Sequence, residues 1–268
     1  MRRKKLHEKT LQSGRPAAGN KKTSAGIILL QCKGRGFGVG KAYSLLMAAF
    51  GPQGWWPVGW NKPLYRPGFY GPISENEIFE ICAGAILTQN TSWKNVEKAL
   101  AALHAADTTS PEKINVCPAG KLGRLVRSSG YYRQKAGRLK GFCCYILRKH
   151  PEGLKKWFSA APRQTLRGEL LSLKGIGPET ADSIALYAAG KAGFVIDSYT
   201  KRISQRLGFA GELSYEDWQA LFEANLPPNA GTYNEYHALL VKLGKEFCKK
   251  RKPLCNGCPL GKMCNNKK

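Results

Sequence analysis

Residues 170–206, LLSLKGIGPETADSIALYAAGKAGFVIDSYTKRISQR, decide the fold. Leu166, Leu170, Leu171 and Leu173 form the apolar side of a first helix. Gly175-Ile176-Gly177 breaks it, and Pro178 opens a second helix, where the missing N–H costs nothing. Ala181, Ile184, Ala185 and Ala188 continue at helical spacing, and Gly190 suits the C-terminal end. The two glycines allow positive φ and close approach to another surface. Free N–H groups at a helix start favour an anion, and a nucleic-acid phosphate is the anion expected. Lys174, Gly175, Ile176, Gly177 and Thr180 are therefore candidate contacts to a nucleic-acid backbone, which position a duplex without reading its sequence. Taken alone, the turn also fits an ordinary helix–helix connection. Asp197 follows the apolar run Phe194-Val195-Ile196, which sets it at the edge of a core. There it suits an N-cap, a buried carboxylate with a strengthened field, or both.

Outward from this stretch the pattern stays helical. Apolar residues recur at helical spacing over residues 41–50, 76–87, 94–104, 122–129, 134–147, 154–161, 200–207, 215–225 and 232–247. No useful period-2 run occurs, so the expected class is all-α. Residues 51–71, GPQGWWPVGWNKPLYRPGFYG, are dense in Gly, Pro and aromatics. Trp55, Trp56, Trp60, Tyr65, Phe69 and Tyr70 there either cover neighbouring helices or form a stacking wall for a base turned out of a duplex. The polar break TQNTSW at residues 88–93 supplies helix caps, and Gln89 within it can both donate and accept. Tyr131, in the turn Gly130-Tyr131-Tyr132-Arg133, suits either an exposed wedge or a cap against the core.

The chain has 268 residues and a formal net charge of +25 at pH 7. So basic a balance attracts polyanions and speeds encounter with them. No apolar run reaches the roughly 18 residues of a membrane span, and residues 26–30 are too short for a secretory core. A soluble intracellular protein is expected. Residues 1–40 are basic and lack periodicity, which reads as a disordered tail adding non-specific attraction to nucleic acid, with a mitochondrial transit peptide as the alternative.

Nine cysteines are unevenly placed. Cys32, Cys82, Cys117, Cys143 and Cys144 are scattered and suit small buried hydrophobes or free thiols. Cys248, Cys255, Cys258 and Cys264 crowd into CKKRKPLCNGCPLGKMC with spacing C-x6-C-x2-C-x5-C. Four soft thiolates in one loop suit zinc or an iron–sulfur cluster, and structural zinc more often uses two close pairs.

LKGIGPETADSIALYAAGKAGFVIDSYTKRISQRLG resembles the helix-hairpin-helix, Gly/Pro-rich loop and aspartate of the endonuclease III superfamily of DNA glycosylases. The cysteine spacing resembles that superfamily's [4Fe-4S] loop. GAILTQNTSW, SGYYRQKAGRL and Trp55-Trp56-Pro57 extend the likeness over residues 45–264, nearest to the endonuclease III-type 3-methyladenine DNA glycosylases. The resemblance implies that Asp197 is the essential carboxylate, that Gln89 fills the space left by a flipped base, that Tyr131 is a wedge, and that Trp55, Trp56, Pro57 and Trp93 line the base pocket. Glu179 stands where bifunctional members carry a Schiff-base lysine, and a glutamate has no amine to form an imine. Base release by hydrolysis is thus implied, with lyase activity left to some other lysine, such as Lys174 or Lys191. The expected cofactor is a [4Fe-4S] cluster on Cys248, Cys255, Cys258 and Cys264. It would stiffen the basic loop that carries Lys249, Lys250, Arg251 and Lys252 against phosphates.

The expected architecture is two helical lobes: residues 71–191 with the hairpin, and residues 41–70 plus 192–268 with the cluster. The expected partner is double-stranded DNA containing a damaged base, bound by a monomer in the cytoplasm near the nucleoid, or in an organelle or nucleus if the source is eukaryotic. The alternatives are a glycosylase/AP lyase or mismatch glycosylase, and a DNA-binding module without catalysis.

Overall fold

The computed structural model describes residues 38–208 and 213–266. Apart from residues 38–40, the basic tail lies outside the described residues, as does Cys32. Among the described residues every regular element is helical, and the only strand-like pairing is one isolated bridge between Val58 and Leu64. The all-α expectation is borne out. None of the described helices is long and apolar enough to cross a membrane.

Helix α1 spans Val39–Phe50, α2 Glu75–Leu87, α3 Trp93–Ala105, α4 Pro111–Val116, α5 Ala119–Leu125 and α6 Tyr132–Lys149. Next come α7 Leu154–Ala160, α8 Arg163–Leu171, α9 Pro178–Ser183, α10 Ser198–Leu207, α11 Tyr215–Glu223 and α12 Ala230–Glu246. Ser74 caps α2 by accepting from the Glu77 N–H, after which Ile78 to Leu87 are all buried. A helix buried on every side belongs in the middle of a fold. Accordingly α2 packs against α3, α6, α7 and the end of the hairpin, while α12 packs against α1, α10 and that same end. Phe194, Phe222, Tyr233 and Tyr236 form an aromatic cluster between α11 and α12, with Phe194 stacked on Phe222 at 4.3 Å.

Three local departures from the periodicity have physical causes. Residues 122–129 are not one helix: α5 ends at Leu125 and a 3₁₀ turn, Arg127–Ser129, follows. Helix α4 was not expected, because six residues with Ile114 as the buried side chain give no periodic stripe. The second hairpin helix widens into a π-turn over Ile184–Ala188 before Gly190 ends it with φ +64°.

The aromatic loop of residues 51–74 is fastened by carboxylates. Glu80 on α2 accepts from the N–H groups of Gly59 (2.8 Å) and Trp60 (2.5 Å). Glu235 on α12 accepts from the Gln53 N–H (2.6 Å) and the Tyr70 hydroxyl (3.1 Å). Trp56 and Trp60 are buried, whereas Tyr65, Phe69 and Tyr70 are exposed, so the loop serves the core with some rings and faces outward with others.

Lys135 of α6 is 1% exposed. Its ammonium donates to the carbonyls of Leu87 (2.8 Å), at the end of α2, and of Ser129 (2.5 Å), in the 3₁₀ turn. Burial, then the nearby Arg138 charge, pulls its pKa down to about 8. Replacing Lys135 by Met keeps the bulk and removes the donor. Urea unfolding is expected to show a loss of about 3 kcal/mol, since two buried carbonyls lose their partner. A loss below about 1 kcal/mol would mean that other donors satisfy them.

Candidate active site

Asp197 is the N-cap of α10, its Oδ1 accepting from the Thr200 N–H at 2.7 Å. The apolar run before it is fully buried, which leaves the carboxylate 9% exposed at the edge of a pocket. Its Oδ2 lies 3.6 Å from Nε2 of His237, and Nδ1 of His237 is 2.5 Å from the Tyr187 hydroxyl. Burial pushes the Asp197 pKa up, but His237 and the Thr200 N–H outweigh it and hold the carboxyl below its ordinary value. The cap and the pocket carboxylate are one residue.

The pocket has a volume of about 140 Å³. A cavity of about 150 Å³ admits a benzene ring, so the pocket has room for one planar six-membered ring. Trp55, Trp56 and Trp93 build one wall, with Trp93 edge-on to Trp55 (4.8 Å) and to Trp56 (5.1 Å). Trp56 reaches this position because α2 offers it Gly84, where an added Cβ would meet the indole at 3.0 Å. Glu179 and Thr180, at the start of α9, face Asp197 across the space. Burial, and next the Asp197 charge, raise the Glu179 pKa. Lys245 of α12 lines the rim, its ammonium 5.8 Å from the Trp55 ring, and burial lowers its pKa.

Several residues named from sequence thus meet in one place: Trp55, Trp56, Gln89, Trp93, Glu179, Thr180 and Asp197. Others do not. Pro57 is buried beside the pocket but does not line it. Tyr131 is 68% exposed in a left-handed turn before α6, free of the core, as a wedge requires. Gln89 is not loose. Its amide N–H₂ donates to the Gly175 carbonyl (3.0 Å) and the Thr180 hydroxyl (2.9 Å), and its oxygen accepts from Arg138. Neither Lys174 nor Lys191 lines the pocket; Lys191 donates to the Ser159 carbonyl instead. Sequence reasoning missed His237, Tyr187 and Lys245, whose only local sign was a histidine inside an otherwise apolar helix run.

The hairpin turn differs from expectation in one glycine. Gly175 takes φ +87°, and a side chain there would collide with Arg138. Gly177 is extended, at φ −95°, and caps α9. Ile176 is buried, and its N–H donates to the Leu173 carbonyl, so its side chain anchors the turn instead of facing outward. Among the described residues, the N–H groups of Gly175 and Gly177 have no acceptor.

At the far end, Cys248, Cys255, Cys258 and Cys264 surround a second cavity of about 480 Å³. A single zinc ion would hold thiolates at about 2.3 Å. Among the described residues no three ligating side chains converge that tightly. Arg206 of α10 points a guanidinium N–H at Cys248 Sγ (3.1 Å) and donates to the carbonyls of Lys249 (2.8 Å) and Lys250 (3.2 Å). The charges of Lys249, Lys250, Arg251 and Lys252 stand exposed around this cavity.

The profile of the HhH-GPD superfamily of base excision DNA repair proteins matches residues 83–228, and the chain belongs to that family. It is a base excision repair DNA glycosylase of the endonuclease III superfamily, acting on DNA. A Methanocaldococcus jannaschii protein named as a candidate DNA repair glycosylase is 41% identical over 230 residues, covering 85% of this chain and 96% of the relative. Endonuclease III of Thermotoga maritima is 28% identical over 71% of this chain and 84% of its own length. Among solved structures, the Helicobacter pylori 3-methyladenine DNA glycosylase bound to 1,N6-ethenoadenine has a TM-score of 0.63 and 27% identity, covering 78% of this chain and 98% of that one. An endonuclease III–DNA complex has a TM-score of 0.66 at 22% identity, covering 85% and 94%, which is likeness of fold.

Proposed function

We propose that the chain is a monofunctional glycosylase that hydrolyses the N-glycosidic bond of an alkylated base flipped from duplex DNA. One observation carries this: a tryptophan-walled pocket that is also lined by two carboxylates, Asp197 and Glu179. As the bond from C1′ to the base breaks, the base leaves with the electron pair and positive charge builds on the sugar. Asp197, held ionised, stabilises that charge. Water then bonds to C1′ and gives up a proton. Glu179 is the better acceptor of the pair, since its pKa is raised from the ordinary value and that of Asp197 lowered. A cationic alkylated base is drawn to indole faces and leaves readily, so no strong acid is needed. The likeness to a 3-methyladenine glycosylase supports the same substrate class.

The four terminal cysteines fit a [4Fe-4S] cluster. Their sulfurs line one cavity, and their C-x6-C-x2-C-x5-C spacing resembles the superfamily's cluster loop. When bound, the cluster supplies rigidity, and the chain's own part is to present Lys249, Lys250, Arg251 and Lys252 to phosphates. Gly175, Gly177 and Lys174 offer a second backbone contact. Gln89 and Tyr131 enter the duplex from their two turns. In this reading the chain divides into two lobes, residues 71–191 and residues 41–70 plus 192–268, with DNA lying across the cleft between them. The protein acts as a monomer, in the cytoplasm or in a eukaryotic organelle or nucleus.

A second reading comes from Lys245, an amine on the pocket rim, which would make the enzyme a glycosylase/AP lyase. Base release from duplexes carrying one defined lesion each, followed by borohydride trapping, separates the readings. Free alkylated base, an intact abasic strand and no trapped adduct are expected. An adduct that disappears in Lys245→Met would make the enzyme bifunctional. Release of a mismatched or oxidised base instead would overturn the substrate class, and binding without any release would leave a DNA-binding module.

A further inference from the structure

His237 sits among apolar neighbours on α12 with 7% of its surface exposed, yet it lines the pocket. Its Nε2 is buried and has no hydrogen-bond partner. Its Nδ1 faces the hydroxyl of Tyr187, which is itself 1% exposed, at 2.5 Å. Two arrangements of the protons are open to a neutral ring. If Nδ1 carried the hydrogen, the Tyr187 hydroxyl proton would be left buried without an acceptor, and the Nε2 lone pair would face the Asp197 carboxylate. If Tyr187 donates to Nδ1, both strains vanish, and Nε2–H points at Oδ2 of Asp197, 3.6 Å away. Leaving a buried donor unmade costs about 1–3 kcal/mol, which selects the second arrangement.

We propose that Tyr187 and His237 are positioning residues for Asp197: Tyr187 fixes the tautomer, and Nε2–H of His237 fixes the orientation of the carboxylate toward the sugar. The inference rests on the reading of Asp197 given above and deepens it. With Oδ1 tied to the Thr200 N–H and Oδ2 faced by Nε2–H, the carboxylate has one way to lie. The separation of 3.6 Å is just beyond a hydrogen bond, and such contacts in ligand-free sites commonly tighten when substrate fills the pocket. The other charged or titratable groups that line the pocket with the ring are Glu179 of α9, Tyr199 of α10 and Lys245 of α12 itself, while Glu235 acts on Tyr187 and Lys201 on Glu179. None of them is hydrogen-bonded to either ring nitrogen. The arrangement predicts that Asp197 stays ionised because of His237 and that its field, not its basicity, is what the pocket uses.

The test is made on the full-length protein and has two arms. In the first, nitrogen-15 shifts of His237 and the carbon-13 titration of the Asp197 carboxyl are followed without DNA. Wild type is expected to show the Nε2–H tautomer, Tyr187→Phe a mixture of tautomers, and His237→Ala an Asp197 midpoint raised by about one pH unit, a tenfold change in proton affinity. In the second arm, single-turnover base release from methylated duplex DNA is measured. His237→Ala is expected to slow release on the order of 10²-fold with its acid limb moved to higher pH, DNA affinity unchanged, and His237→Gln recovering part of the rate. An Nδ1–H tautomer in wild type, or an Asp197 titration indifferent to His237→Ala, overturns the proposal whatever the substrate proves to be. Release that survives Asp197→Asn would instead overturn the role of Asp197, an outcome the spectra distinguish from the first.

Discussion

Asp197→Asn is expected to slow base release by about 10³-fold or more while leaving duplex affinity and thermal stability nearly unchanged. The selectivity of that loss follows from the two roles of the side chain. Oδ1 caps α10 by accepting from the Thr200 N–H, and asparagine is as good an N-cap as aspartate. The cap therefore survives. What disappears is a negative charge that is favoured at a buried position, and in the function proposed here that charge acts on C1′ at low dielectric. Single-turnover release, with binding and melting measured on the same preparation, checks this. Release at the wild-type rate would remove Asp197 from the mechanism, and a loss of binding in parallel would make the residue structural.

The second large effect is expected at the other end of the molecule. Cys258→Ser should reduce bound iron from about four atoms per chain to nearly none, with the broad visible absorption of the cluster lost. The helices of residues 75–207 supply most of the buried core and should keep their circular dichroism. DNA affinity is expected to fall on the order of tenfold at moderate salt. The plot of log affinity against log salt should become shallower by about 0.9 for each phosphate that the basic loop ceases to neutralise. Wild-type protein holding one zinc and no iron would overturn the cluster, and iron loss without any change in salt slope would detach the loop from DNA.

The parts of the site that were legible from sequence are those written locally. A glycine turn followed by proline announces a hairpin, an aspartate after three apolar residues announces a cap at a core edge, and four cysteines in 17 residues announce a loop whose sulfurs line one cavity. All three depend on neighbours in the chain. His237 and Lys245 were not legible because their meaning lies in what α12 faces, 40 and 48 residues beyond Asp197. The ties of Gln89 were hidden for the same reason: its partners are Gly175 and Thr180, far along the sequence. Helix α4 was a different kind of miss. Its signals were present, with Ser110 capping and Pro111 at the first position, but a single buried side chain gave the hydrophobic pattern nothing to repeat.

Lys135 touches both turns that reach outward from the helical body. Leu87, whose carbonyl it holds, stands two residues before Gln89, and Ser129 stands two residues before Tyr131. One ammonium therefore ties the two turns to each other from beneath, so that neither shifts without the other. Under the function proposed here, in which Gln89 and Tyr131 enter a duplex, the two reach it as a pair at one fixed spacing.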